Sequence, residues 1–495
     1  MGRPIIPAGI GQTVAAAPRR STWFGQPKGL TILFLTQMWE QFSYYGMRAL
    51  LVYYMTRELL LGQQKASLIY GAYTATAYFT PIFGGMLADS WLGKRRAIII
   101  GATVMAAGHF MMSFDALLYV ALATIALGNG LFLPSLPSQI NDLYEVSDPR
   151  RARAYNIYYV GINIGGFLAP LICGTLGELY GWHVGFAAAG VGMLAGLAVY
   201  VLGGAYLPDQ EPPSARQSLP PGRPSSRPPT QAAPTRTNPL STIALLLGIG
   251  IAVTLFRGAY EQIGNTVALW SDANVTRQVG SVTIPATWFQ SLNPLLVFLM
   301  TPALLAYWRR RADRGLEPPA TRRMALGALI VALSYALLAG VAAHAGQERA
   351  SGLWLVLYFV IFTLGELHIL PTGLGLFARL APPRFAATTV AAWFLAIFTG
   401  SLSAGAVGTL WSSMSHATFF VFLAVLATVA AIVLLALGRI PGRPDLTPQL
   451  PAAAADPLFS QHEMADAHPT TLSPPHAPPV KPSRSGARPD PDTQS

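Results

Sequence analysis

Five ionisable side chains lie near the centres of long apolar stretches of the sequence. They are Glu40 and Arg48 in the first stretch, Arg257 and Glu261 in the seventh, and Glu366 in the tenth. An ionisable group at mid-membrane costs about 2.5–3.5 kcal/mol on insertion scales, so such groups face a bundle interior or a water-filled path. Acids and bases at one depth can pair, hold a charged solute or take up a proton. We therefore expect these residues to meet in a polar cavity.

The apolar stretches that carry them recur along the chain. They cover residues 30–56, 66–88, 97–114, 115–140, 153–177, 183–206, 241–270, 285–308, 322–344, 352–378, 386–411 and 416–438. Each reaches the length that a membrane-crossing helix requires, at least about 17 residues. Of the 495 residues only 11% are charged, whereas a soluble domain carries about 25%. The sequence thus predicts an all-α, polytopic membrane protein with twelve transmembrane helices.

A polar segment rich in proline and arginine divides the spans into two groups of six. The predicted parts are a cytoplasmic N-terminal tail at 1–28, a six-helix bundle at 29–207, a cytoplasmic linker at 208–239, a second six-helix bundle at 240–438, and a disordered cytoplasmic tail at 439–495. This outline resembles the major facilitator fold, in which two related halves enclose a site at mid-membrane.

Basic residues mark one side of the predicted membrane. They include Arg19, Arg20, Lys94, Arg95, Arg96, Arg150, Arg151, Arg153, Arg309, Arg310, Arg311, Arg322, Arg323 and Arg439. Loops rich in Lys and Arg stay in the cytoplasm, so we expect both termini and the linker to be cytoplasmic, in the cell membrane (the inner membrane of a bacterium). The net charge of +11 lies mainly in these short loops, and it predicts contact with the bilayer rather than with nucleic acid.

The sequence carries no signature of an enzyme, a cofactor or a metal centre. Cys173 is the only cysteine, which excludes an internal disulfide and a thiol metal cluster. No phosphate loop and no nucleophile beside its base can be recognised. We expect no catalysis and no cofactor, and we expect the protein to be a monomer.

Two motifs in the first half resemble the signatures of one transporter family. Residues 37–48 read QMWEQFSYYGMR, similar to the pattern E-x-x-E-R-F-x-Y-Y-G, and residues 155–167 read YNIYYVGINIGGF. The second string matches the family's signature at every position checked. Both resemble the proton-dependent oligopeptide transporters, a family of major facilitators.

Shorter motifs extend this resemblance over both halves, roughly from residue 25 to residue 438. Residues 84–96 (GGMLADSWLGKRR) resemble the cytoplasmic motif of major facilitators. In that motif Asp89 would latch a gate by pairing with the basic loop or with a helix N-terminus. Family-like segments follow at 256–264 (FRGAYEQIG), 288–294 (WFQSLNP) and 365–374 (GELHILPTGL), and Trp393 belongs to a fourth.

Three positions lack the charge that the family pattern has there, while Arg257 replaces a tryptophan and Leu370 a serine. Gln37 and Gln41 stand where the family has an acid and an arginine, and Leu133 stands where the fourth span has a lysine. The resemblance implies that this lysine pairs with the acid of span seven, here Glu261. Arg257 lies one helical turn before Glu261, and we expect it to pair with that acid instead.

These departures bear on coupling to protons. Glutamine cannot titrate, so the residues expected to serve coupling and gating are Glu40, Glu261, Arg257 and Asp89. Glu40 has lost its arginine neighbour and is the first candidate for proton uptake. Because an acid and two bases are missing from the network, we expect proton coupling to be weakened or altered.

The resemblance implies a secondary transporter of di- or tripeptides, or of peptide-like solutes, that works by alternating access. A zwitterionic peptide needs a cation and an anion, which Arg48 and Glu366 would supply from opposite halves. We expect the cavity to be lined further by Tyr44, Tyr158, Asn163, Gln290, Asn293 and Trp393. Two alternatives stay open: a facilitator or exporter of another organic anion or drug-like solute, and a sensor that binds solute without moving it.

Overall fold

The computed structural model describes residues 22–23, 25–145, 148, 150–208, 239–346, 348–380 and 386–439. The helices of the first half are α1 (Lys28–Tyr53), α2 (Gln63–Leu87), α3 (Lys94–Met111), α4 (Leu118–Asp142), α5 (Arg150–Tyr180) and α6 (Trp182–Leu202). Those of the second half are α7 (Pro239–Tyr260), α8 (Thr266–Asn274), α9 (Trp288–Asp313), α10 (Ala320–Ala345), α11 (Gly352–Leu380), α12 (Ala386–Thr409) and α13 (His416–Leu437). The predicted tails and linker lie almost wholly outside the described residues.

Strands in the described residues are only two residues long and lie in the connections. β1 (Thr22–Trp23) pairs antiparallel with β2 (Gln26–Pro27), β3 (Val275–Thr276) pairs parallel with β6 (Ala350–Ser351), and β4 (Gln278–Val279) pairs antiparallel with β5 (Val282–Thr283). They are too short to present a hydrophobic face. Helices therefore build most of the core of the described residues.

The described residues form twelve helical crossings, because α7 and α8 together make one of them. Nine segments of the described chain are long and apolar enough to span a membrane by length and mean hydropathy. The segments α1, α2 and α3 fall below that measure. The mean hydropathy of α1 is lowered by its polar residues, which include Gln37, Glu40 and Arg48. All three are buried, and partners inside the bundle must offset the cost of burying them.

The seventh span is not the continuous helix that the sequence predicts. After α7 a 3₁₀ turn follows at Glu261–Gly264, and Asn265 leaves helical geometry with φ −115° and ψ −95°. A Cβ atom at Gly264 would clash with the hydroxyl of Tyr70 on α2. The glycine thus permits the close approach of α2 at the point where Glu261 lies.

Each half has its own hydrophobic core. In the first half α1 packs on α5 and α6, and α3 packs on α4; in the second half α10 packs on α11 and α13. The largest buried apolar cluster is built from the second half, and two more lie in the first. Across the halves, the closest packing joins α2 to α12 and α5 to α9.

Contacts between the halves concentrate at one end of the bundle, where α1, α3 and α5 finish and α2 begins. Ser67 Oγ on α2 donates to Asn265 Oδ1 at 3.0 Å. A Cβ atom at Gly71 on α2 would lie 2.5 Å from the Cα atom of Gly405 on α12. The backbones meet there without side chains between them. We call this the closed end.

Candidate functional site

Glu261 binds two guanidinium groups that come from opposite halves of the bundle. Arg48 Nη2 on α1 donates to Glu261 Oε2 at 2.6 Å, and Arg257 Nη2 on α7 donates to Oε1. Glu261 is 1% exposed, Arg257 2% and Arg48 8%. A buried charge is tolerated only when it is paired and hydrogen-bonded. The predicted pairing of Arg257 with Glu261 is therefore present, but Arg48 shares the same acid.

Hydroxyl groups and aromatic faces complete this cluster. Arg48 Nε donates to the hydroxyl of Tyr70 at 2.8 Å, and Arg257 Nη2 donates to Ser401 Oγ on α12 at 3.1 Å. The guanidinium carbon of Arg257 lies 4.6 Å from the ring centroid of Tyr260, within cation–π range. Residues of α1, α2, the seventh span and α12 thus fix one carboxylate and two guanidiniums.

Glu366 on α11 has neutral hydrogen-bond donors and, within the described residues, no ion pair. Its Oε2 accepts from Asn293 Nδ2 at 2.7 Å, and its Oε1 accepts from the hydroxyl of Tyr260 at 2.8 Å. Because no guanidinium of the described residues forms an ion pair with this carboxylate, it can receive a cation from a bound solute.

Glu40 lies in a separate network of amides inside the first half. Its Oε2 accepts from Gln37 Nε2 and Gln41 Nε2, both at 2.7 Å. The hydroxyl of Tyr158 on α5 donates in turn to Gln37 Oε1. The two glutamines that depart from the family pattern are thus the groups that solvate Glu40.

Of the predicted lining residues near these charges, Gln290 connects the halves. Asn293 on α9 binds Glu366, as described, and Gln290 Nε2 donates to the carbonyl of Ala49 on α1 at 3.1 Å. Tyr44 stacks on Tyr73 with ring centroids 6.3 Å apart. The faces of α1 and α9 that carry these residues therefore meet close to the Arg48 cluster.

Three other predicted lining residues use their side chains elsewhere. Tyr158 belongs to the Glu40 network, and Asn163 Nδ2 donates to the carbonyl of Tyr159 in its own helix at 2.9 Å. Trp393 is 2% exposed and packs at 5.3 Å from Phe377. The structure places Trp393 in the core between α11 and α12 rather than in a cavity, because its large ring fits there.

Asp89 is exposed where α2 ends, away from the closed end. Within the described chain it forms no ion pair. Lys94 at the start of α3 instead binds Asp142 at 2.8 Å and the carbonyl of Ser138 at 3.3 Å. In this conformation the basic loop is therefore held by α4 and not by the predicted latch.

A second ionic cluster joins the halves at the closed end. Asp272 of α8 binds Arg57, which follows α1, and also Arg277 at 3.1 Å. Arg277 lies 3.4 Å from Glu178 near the end of α5. The cluster is thus a chain of two guanidiniums and two carboxylates with no net charge. The Arg57–Asp272 and Arg277–Glu178 contacts cross between the halves.

Glu178 also binds the two residues that precede α9. Its Oε1 accepts from the backbone N–H of Thr287 at 2.9 Å and from the Thr287 hydroxyl at 2.8 Å, and its Oε2 accepts from the N–H of Ala286 at 3.0 Å. These backbone N–H groups have no partner inside the helix, and a carboxylate at this position is favoured by the helix dipole. A carboxylate of the first half therefore lies at the N-terminus of a helix of the second half.

Sequence analysis misses several residues that build these clusters, including Arg57 and Arg277 at the closed end and five more. The five are Tyr70, Ser401 and Tyr260 at the centre, and Glu178 and Asp272 at the closed end. Tyr260 stands inside a family-like motif, and the two acids lie at span ends that carry few basic residues. Those signals were available, whereas nothing in the sequence singles out Tyr70 or Ser401.

The family model described as the POT family matches residues 95–216 and 235–424 of the chain. The chain belongs to the POT family. Among relatives of this POT protein, the uncharacterized transporter YclF of Bacillus subtilis is 32% identical, over 86% of this chain and 96% of its own length. A di-/tripeptide transporter of Lactococcus lactis subsp. cremoris is 32% identical, over 84% of this chain and 95% of its own.

A solved structure gives the same assignment for the fold. The crystal structure of a peptide transporter POT in complex with sulfate has a TM-score of 0.76 and 30% identity, and the match covers 87% of this chain and 98% of that one. This confirms the predicted all-α major facilitator fold with two six-helix halves. It also confirms that the POT protein is a multi-pass membrane transporter and not an enzyme.

Proposed function

We propose that this POT protein is a secondary transporter of di- and tripeptides, or of peptide-like solutes, that works by alternating access. One observation carries the proposal: unbalanced charges of opposite sign lie at one depth between the two halves. Two guanidiniums share the carboxylate of Glu261, while Glu366 has only neutral donors. A peptide with its carboxylate at Arg48 and its amino group at Glu366 would balance both. The relative named a di-/tripeptide transporter supports this reading.

Alternating access requires the halves to separate at each end in turn. The closed end, with its glycine contact and its ionic cluster, supports a conformation in which solute reaches the site from the opposite end. The positive loops of the sequence lie at that opposite end, so we propose that it faces the cytoplasm and that the conformation is inward-facing.

This orientation can be tested with reporter fusions. A periplasmic reporter fused after Gly62 or Asp115, at the closed end, should be active, and the same reporter inserted at Ser225 in the linker should be silent. A cytoplasmic reporter should give the reverse pattern. An active periplasmic reporter at Ser225 would refute the twelve-span topology and the proposed orientation.

The substrate class is tested by binding. In a thermal-shift screen of the purified protein against di- and tripeptides, a ligand at about a hundredfold its Kd should stabilise the fold by about 2.7 kcal/mol. The variant Glu366→Gln should weaken that ligand roughly ten- to hundredfold, because a charged hydrogen bond contributes about 1.5–3 kcal/mol.

A matched control is Glu58→Gln, which removes an exposed carboxylate beside the closed end. It should bind the same peptide as tightly as the parent. If Glu366→Gln binds equally well, the amino-group site lies elsewhere. Net uptake into proteoliposomes then separates a transporter from a sensor, which would bind the peptide without moving it.

We further propose that coupling to protons is weak. Gln37 and Gln41 cannot take up a proton and Leu133 supplies no charge, so the network has fewer ionisable groups than the family pattern; among the described residues, the buried acids without an ion pair are Glu40 and Glu366. One pH unit across a membrane is worth about 1.4 kcal/mol per proton, or about tenfold accumulation. An inward gradient of one unit should therefore drive peptide accumulation in proteoliposomes well below tenfold.

The measurement uses labelled peptide together with a pH-sensitive dye in the lumen. Near-tenfold accumulation that disappears in Glu40→Gln would show that coupling survives through Glu40. Facilitated flux with no dye response, for peptides or for another organic anion, agrees with the proposal of weak coupling.

A further inference from the structure

We propose that Arg257 is a positioning residue that sets specificity: it gives the Arg48–Glu261 pair an uncompensated positive charge and so makes the site select solutes that end in a carboxylate. The proposal presupposes the peptide-transport function given above. Arg48 contacts the solute, and Arg257 acts through Glu261.

The geometry divides the carboxylate of Glu261 between the two guanidiniums. Arg257 takes Oε1 and Arg48 takes Oε2. Arg257 is the more deeply enclosed, because Tyr260, Tyr78 and Ser401 surround its guanidinium. Arg48 uses Nε and Nη2 for Tyr70 and Glu261, and its side chain stays 10% exposed. A solute can thus reach Arg48, while Arg257 is covered.

The charges of this cluster do not cancel. Arginine stays protonated in proteins, so two positive charges face one carboxylate. Among the described residues, the tyrosines that contact these guanidiniums include Tyr70, which accepts from Arg48, and Tyr78 and Tyr260, whose rings face Arg257; tyrosine hydroxyls are neutral. Glu366 interacts with both arginines but forms an ion pair with neither in the described chain. One positive charge therefore remains for the solute.

Without Arg257 the net charge of the cluster falls to zero. Arg48 and Glu261 alone would form a neutral pair, and such a pair has little attraction for an anion. Leu133, at the position of the family's fourth-span lysine, supplies no charge. The cation that makes Arg48 available to a carboxylate therefore comes from the seventh span, one turn before the acid that it balances.

The test compares one dipeptide with its uncharged C-terminal form. Binding of dialanine and of dialanine amide to the full-length protein is measured by calorimetry in detergent. The parent should prefer dialanine by about ten- to hundredfold, the effect of one charged hydrogen bond. In Arg257→Gln this preference should fall to near one, and in Arg257→Lys most of it should persist.

Two further variants separate charge from packing. Thr254→Ala, one turn before Arg257, removes hydrogen bonds of the seventh span to Ala396 and Thr399 on α12 but no charge, and it should keep the preference of the parent. Glu261→Gln leaves both guanidiniums without their acid, so it should raise the preference for dialanine over dialanine amide above that of the parent. This measurement tests the proposal even if Arg257→Gln does not fold.

The outcomes are distinct. If Arg257→Gln loses affinity for dialanine and for dialanine amide equally, the role of Arg257 is structural only. The same conclusion follows if the preference for dialanine does not rise in Glu261→Gln. Failure of the parent to bind any di- or tripeptide would instead refute the proposed function. Binding of peptides by a parent with no preference for the carboxylate would refute only the role of Arg257.

Discussion

Replacing Glu261 with leucine is expected to lower the stability of the transporter more than any other single change in the central site. The substitution leaves the guanidiniums of Arg48 and Arg257 buried without a carboxylate. Removing one partner of a buried ion pair typically costs about 3–5 kcal/mol, and here one acid serves two bases. Purified Glu261→Leu should therefore unfold far below the parent in thermal denaturation followed by intrinsic fluorescence.

Two matched variants show whether orphaned charge is the cause. Glu366→Leu removes a carboxylate of similar burial that has only neutral donors, and it should cost less, about 1–3 kcal/mol. The double variant Glu261→Leu/Arg257→Leu removes one of the orphaned cations and should be more stable than Glu261→Leu alone. A double variant that is less stable than the single one would contradict this account.

Replacing Glu178 with alanine is expected to open the closed end. The carboxylate of Glu178 binds the residues just before α9 through two backbone N–H groups and one hydroxyl, and it also pairs with Arg277. Loss of even two charged hydrogen bonds is worth about 3 kcal/mol, which corresponds to more than a hundredfold in a conformational equilibrium. The outward-open state should then become well populated.

The readout is the reactivity of a cysteine at Ala268, which is buried at the boundary between the halves. In intact cells an impermeant thiol reagent should label Ala268→Cys slowly in the parent and much faster with Glu178→Ala. The native Cys173 is buried and gives little background. Glu58→Ala, at the same end, is the control and should leave the rate unchanged. Equal rates in all three proteins would show that Glu178 does not hold the end shut.

Sequence alone predicts those features that depend on neighbouring residues. Apolar length predicts the twelve crossings, and the i,i+4 spacing predicts the pair of Arg257 with Glu261. The break in the seventh span is not predictable, because Gly264 makes room for Tyr70, a residue almost two hundred positions earlier in the chain. A continuous apolar run carries no sign of that neighbour.

The site shows the same limit. The depth of Arg48 and Glu366 in their spans indicates that they meet at the centre, and the structure brings both there. That Arg48 shares an acid with Arg257 depends on how the halves approach each other. The position of Trp393 could not be predicted either, because a tryptophan can line a cavity as well as fill a core. Only the small residue Gly373 on the neighbouring helix shows which of the two it fills.

The backbones of Gly71 and Gly405 are in contact, and substitutions at this contact can impair function without lowering the amount of folded protein. An alanine Cβ at Gly71 would lie 2.5 Å from the Cα and N atoms of Gly405 and 3.1 Å from the carbonyl of Ser401. The added methyl group obstructs only the conformation in which these helices meet. Under the proposed alternating access, we expect the variant to be synthesised, inserted and abundant, yet unable to reach the conformation in which these helices meet. A screen that scores variants by protein abundance would class it as harmless, whereas selection for growth on the carried solute would class it as a null.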